Sequence, residues 1–158
     1  MESSGNTAEE EAATGEMDLT STDLEISHDG STQQIVGIVF PSIGLDASST
    51  IAGTRLVFDV DEVNSESAEA VTVRIYGELS LSAAQPSSTA GDLSSRSKTA
   101  AYVDWSPEAS TATHVLLYTP DLATIVSEIV GQAGWVSGSP MAFLLEHVAG
   151  SGTRWVGA

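Results

Sequence analysis

Residues 51–76 read IAGTRLVFDVDEVNSESAEAVTVRIY, and apolar side chains recur in them at every second position. Thr54, Leu56, Phe58 and Val60 share one side, and Arg55, Val57, Asp59 and Asp61 share the other. After a polar turn at Asn64–Ser67 the alternation resumes, with Val71, Val73 and Ile75 opposed to Thr72, Arg74 and Tyr76. A period of two belongs to strands with one buried face. Two such strands with a short polar connection predict an antiparallel hairpin.

The same pattern extends in both directions. Gln33–Phe40 is apolar on both faces, which predicts a central strand ended by Pro41 and Gly44. Upstream, Leu24–Ser27 precedes a turn signal at His28-Asp29-Gly30-Ser31. Residues 1–30 hold nine carboxylates and no Lys or Arg. Residues 1–14 are an acidic N-terminal segment and a candidate first strand, and 15–158 are expected to form a single domain. Downstream, Ser80–Arg96 is rich in Ser, Ala, Pro and Gly and predicts a surface loop. Thr99–Trp105 predicts a strand stopped by Ser106-Pro107, and His114–Tyr118 a short one. Leu122, Ile125, Val126, Ile129 and Val130 have helical spacing before Gly131, which predicts one short helix near residues 120–131. Met141–Val148 and Thr153–Val156, joined by a tight turn, complete about eight short strands. With no crossover helices, the expected fold is all-β, a two-sheet antiparallel β-sandwich of jelly-roll type.

Composition narrows the function. The 158 residues suffice for one domain. There is no cysteine, hence no disulfide, zinc–thiolate site or thiol nucleophile. Five Lys+Arg face 22 Asp+Glu, a net charge of −17, and such a field repels nucleic acid and anionic membranes. No apolar run approaches the roughly 20 residues of a membrane span, so membrane insertion is not expected. Met1–Gly5 has neither a basic start nor an apolar segment, so the expectation is a cytosolic protein or a module of a longer secreted chain. His28, His114 and His147 stand on separate segments, and no nucleophile-elbow, zinc-protease or phosphate-loop motif occurs. The chain is therefore expected not to be an enzyme.

Carboxylates suit a hard cation, which seeks six to eight oxygens. Glu9 and Glu10 in one cluster, and Asp59, Asp61 and Glu62 in another, are the candidate ligands for a structural calcium ion. The competing reading is a solvated acidic edge. For a ligand site, sugar rings stack on aromatic faces while Arg forks onto hydroxyls. Arg55, Arg74 and Tyr76 are expected to project from one sheet face, with Trp105 and the Arg154-Trp155 pair as further candidates. Trp135 is expected in the core beneath the helix.

Three segments carry a family resemblance: STIAGTRLVFDVDEVNSESAEAVTVRIYGE at 49–78, LSSRSKTAAYVDWSP at 93–107, and TPDLATIVSEIVGQAGW at 119–135. Together they resemble a β-sandwich module of secreted bacterial and marine proteins, similar to DNRLRE-type jelly rolls of the carbohydrate-binding kind. The resemblance implies a secreted or cell-surface protein that binds a polysaccharide or other glycan and adjoins further domains of a larger chain. It also implies a calcium ion near an N-terminal Glu pair. A structural, adhesion or assembly module making protein contacts is the alternative.

Overall fold

The computed structural model describes residues 5–158. The first four residues of the acidic segment lie outside the described residues. The elements are β1 (Thr7–Glu11), β2 (Met17–Asp18), β3 (Asp23–Ile26), β4 (His28–Asp29), β5 (Thr32–Phe40), β6 (Val57–Glu62), β7 (Val71–Glu78), β8 (Lys98–Trp105), β9 (Leu116–Tyr118), α1 (Ala123–Val130), β10 (Met141–Gly150) and β11 (Arg154–Gly157). The larger sheet runs β2-β1-β5-β10-β7-β8, with β4 added to β5, and the smaller runs β3-β11-β6-β9. The strand pairs are antiparallel. The protein is thus an all-β sandwich with one short helix. Among the described residues no helix is long and apolar enough to cross a membrane.

The predicted alternation holds, but the predicted hairpin does not. β6 lies in the smaller sheet and β7 in the larger. Leu56, Phe58 and Val60 face Val71, Val73 and Ile75 across the sandwich, all within one core. Each strand has a single apolar row, and putting the strands in opposite sheets lets both rows close the same interior. A 3-10 turn at Ser65–Ala68 carries the chain across. Asn64 caps it, its side chain accepting from the Glu66 amide at 2.8 Å while Ser67 Oγ accepts from the Asn64 amide at 3.0 Å.

The helix closes one side. Ile125, Val126, Ile129 and Val130 are buried in the core. The carboxylate of Glu128 accepts from the amides of Ala100 and Ala101 at 2.7 and 2.8 Å, covering part of the β8 edge. Gly77 makes this packing possible. A Cβ there would stand 2.5 Å from Ile129 Cδ1 and 2.8 Å from Ile125 Cγ2. Gly77→Ala is expected to cost about 1–3 kcal/mol by overpacking, read as a lower urea midpoint at unchanged slope.

The larger sheet is covered on its outer face as well. The segment after β7 folds back over it and buries Leu93 with Ala8, Ile35 and Leu144. Gly37 leaves room for Leu93. The Glu10 carboxylate accepts from the amides of Leu93 and Ser94 at 2.7 and 2.9 Å. Arg96 ties the same segment to Glu78 at 2.8 Å and to Asp92 at 2.9 Å. This third layer explains why β5 is apolar on both faces.

At Ser27 the chain leaves the smaller sheet for the larger. Its φ is +99°, in the region that side-chain-bearing residues rarely adopt.

Candidate ligand cleft

The six side chains named for a ligand fall in three places. Arg74 and Tyr76 stand on the outer face of the larger sheet, beside β8. Arg74 makes a bidentate bond to Asp104 at 2.6 and 2.9 Å and lies over the Tyr102 ring at 3.9 Å. That bond holds the Asp104 carboxyl below its usual range. Lys98 pairs with Glu146 and stands 5.5 Å from the Tyr76 ring. The charges of this band are therefore satisfied by one another.

Arg154 and Trp155 are not surface groups. Arg154 is 1% exposed and donates only to backbone carbonyls: Nε to Glu108 at 2.8 Å, Nη1 to Thr153 at 2.9 Å, and Nη2 to Glu69 and Pro107, each at 3.1 Å. It shares the inward side of β11 with Val156, which sequence alternation allowed but its charge concealed. Trp155, 7% exposed, lies opposite Glu25 on one neighbouring strand and Glu62 on the other. All three tryptophans are buried. Trp105 stacks on Phe58 with centroids 5.5 Å apart, and Trp135 donates from its indole to the Leu45 carbonyl at 2.8 Å. Stacking of a ligand on an exposed tryptophan is therefore excluded as the binding mode.

Arg55 and Trp105 do come together. They line a cleft of about 410 Å³ between the end of β8 and the edge strand β9, with Pro107, Glu108, Leu116, Tyr118 and Thr119 among its walls. Arg55 therefore does not share a face with Arg74 and Tyr76. It precedes a strand of the smaller sheet, and they belong to the larger. Trp105 contributes the buried floor. Tyr118 is 52% exposed and offers the free ring that sequence reading did not single out, because three residues of β9 are too few for a periodic signal. Arg154 acts here at second hand, since its bonds to the Pro107 and Glu108 carbonyls fix that wall.

A census of cations gives the cleft its chemistry. Arg74, Arg96 and Lys98 each pair with a carboxylate, and Arg154 is saturated by carbonyls. Arg55 alone, among the described residues, has neither an ion pair nor a hydrogen bond. Asp121 is held below the usual carboxylate range first by the Thr54 amide, then by that of Ala123, with a smaller contribution from the Arg55 charge.

The carboxylates named for calcium are dispersed. Glu9 and Glu10 leave β1 on opposite faces, and Glu10 is engaged by the Leu93 and Ser94 amides. Asp59 and Asp61 are exposed on β6, with His114 Nδ1 3.5 Å from Asp59. Among the described residues no three carboxylate or imidazole groups converge as a metal set. Glu9 instead meets Glu25. It is 4% exposed, and one oxygen accepts from the Glu25 amide at 2.6 Å. Burial, then the side-chain hydrogen bond with Glu25, raises its pKa to about 9. That shift favours the protonated form of Glu9 beside the Glu25 carboxyl, itself raised first by burial. Glu11, Glu16, Asp18 and Glu25 share the same acidic pocket of about 330 Å³.

Comparison with known protein families, with curated proteins and with solved structures finds no match for this chain.

Proposed function

We propose that this chain is a non-catalytic carbohydrate-binding module of a secreted or cell-surface protein, and that the cleft beside β9 holds the glycan. The observation that carries the reading is Arg55: a guanidinium with neither an ion pair nor a hydrogen bond among the described residues, in a chain of 22 carboxylates, beside the exposed ring of Tyr118. A guanidinium fork matches sugar oxygens, and a tyrosine face receives the C–H side of a pyranose. Arg55→Ala and Tyr118→Ala are each expected to weaken binding to an immobilised polysaccharide panel about tenfold, the effect of about 1.4 kcal/mol. Circular dichroism should be unchanged. Binding to no member of a broad panel, or binding indifferent to both substitutions, sinks the reading.

The calcium part of the proposal rests on Glu9 and Glu25. A hard cation would replace their shared proton, with water and backbone carbonyls supplying the other oxygens.

A second reading, an assembly module, is favoured by the exposed Val57 on β6, Leu116 and Tyr118 on β9, and Val115 just before β9. A self-associated species in light scattering, dispersed by Val57→Asp, would select it.

A further inference from the structure

The corner at Ser27 carries a group that none of the foregoing uses. Ser27 Oγ lies 2.8 Å from His28 Nδ1 and 2.9 Å from His147 Nδ1, and the two rings meet edge to face at 4.6 Å. His28 belongs to β4 and His147 to β10, so one buried hydroxyl ties the corner and β4 to β10. The Thr153 hydroxyl adds a bond to the His28 carbonyl at 2.9 Å.

A hydroxyl has one proton to give and two lone pairs to receive. With both imidazoles neutral the arrangement closes: Ser27 donates to one Nδ1 and accepts from the other, which carries its proton there. One added proton converts the accepting nitrogen into a donor, and the hydroxyl hydrogen then has no ring to bond. A second would place two cations in edge contact. The ionisable groups on the surrounding elements are Asp29 on β4, Asp23 and Glu25 on β3, Glu146 on β10 (already paired with Lys98), Arg74 opposite it on β7, Arg154 on β11 opposite Ile26, and Glu11 at the end of β1. Among the described residues none of these forms an ion pair with either ring.

We infer that Ser27, His28 and His147 form a proton-operated latch, which holds the β3–β4 corner to the larger sheet at neutral pH and releases it in mild acid. Burial, then the charge of His28, lowers the His147 pKa below its usual value. The sign follows. The unfolded chain takes up the proton first, so this contribution is full above the ordinary histidine range and is lost as pH falls through the lowered value. A pocket of about 210 Å³ beside His147 gives solvent protons access to it.

The test is amide hydrogen exchange by NMR on the whole chain, corrected for intrinsic rates, between about pH 7.5 and 5. Protection across residues 27–34 is expected to fall at least about tenfold, in step with the His147 ring titration. His147→Gln cannot acquire charge and should abolish that dependence. If that variant fails to fold, His147→Asn, which likewise cannot acquire charge, serves the same purpose. Protection that is constant in the wild type, or that is lost equally in the folded variant, overturns the latch.

Discussion

Arg154→Met is expected to destabilise the protein by about 3–5 kcal/mol, a large share of the 5–15 kcal/mol typical of a whole domain. Methionine fills much of the same volume, so the cavity contribution is small. The lost donors are what matter. Four carbonyls, on Glu69, Pro107, Glu108 and Thr153, receive bonds from this one guanidinium. Each buried acceptor left bare costs about 1–3 kcal/mol, and entering water recovers only part of the sum. At this chain length the melting temperature should drop roughly 10 °C or more. Arg154→Lys tests the mechanism, because one ammonium cannot reach carbonyls spread around a planar fork. It should recover less than half the loss. A Met variant within about 1 kcal/mol of wild type in urea unfolding would show that the fork is dispensable.

Glu9→Gln should do the opposite and stabilise the folded state at alkaline pH. Burial raises the folded carboxyl to about 9, from an ordinary value of 4.5. Its contribution is therefore full below the unfolded pKa and declines as pH rises through the interval to the folded value, by at most about 1.4 kcal/mol per unit. Glu25 and Glu78, both raised first by burial, slope the same way. In chelator-treated wild type, stability should decline above about pH 7, where the histidine and aspartate contributions are already full, and Gln at position 9 should flatten much of that decline. Millimolar calcium near pH 8 should raise the wild-type melting temperature and leave the variant unmoved, since a cation that binds only the folded state competes with the proton. A variant with the wild-type pH slope would refute the buried acid. A wild type insensitive to calcium would remove the ion from the proposal.

How far the fold could be read depended on what each signal measures. Alternation in 54–60 and 71–75 reports which side chains are buried, and Leu56, Phe58, Val60, Val71, Val73 and Ile75 are buried as expected, with Thr54 at the row's end half-buried. It does not report which strand lies alongside, so one hairpin was expected where two sheets face each other. Helical spacing located α1, and Gly131 ends it. The covering layer around Leu93 was invisible, because Ser, Ala and Gly in 80–97 mark a chain without regular structure, not one without a buried anchor. Charge misled twice. Glu9 and Glu10 read as calcium ligands or as a solvated edge but are 4% and 1% exposed, and Arg154 read as a ligand contact but is 1% exposed. Buried charges are rare enough that sequence alone assigns them to water. Arg55 and Trp105 could be named singly from the sequence, but that they line one cleft with Tyr118 needed the fold.

The bond from Glu10 to the amides of residues 93 and 94 spans more than eighty positions of chain. It makes β1 a buckle for a strap that is synthesised much later. Because that closure joins distant segments, it belongs among the slow, late events of folding. An endoprotease clipping just before residue 12 would be felt far from the cut, as the Ser/Ala-rich strap lifted and bared Ile35 and Leu144 to neighbouring chains.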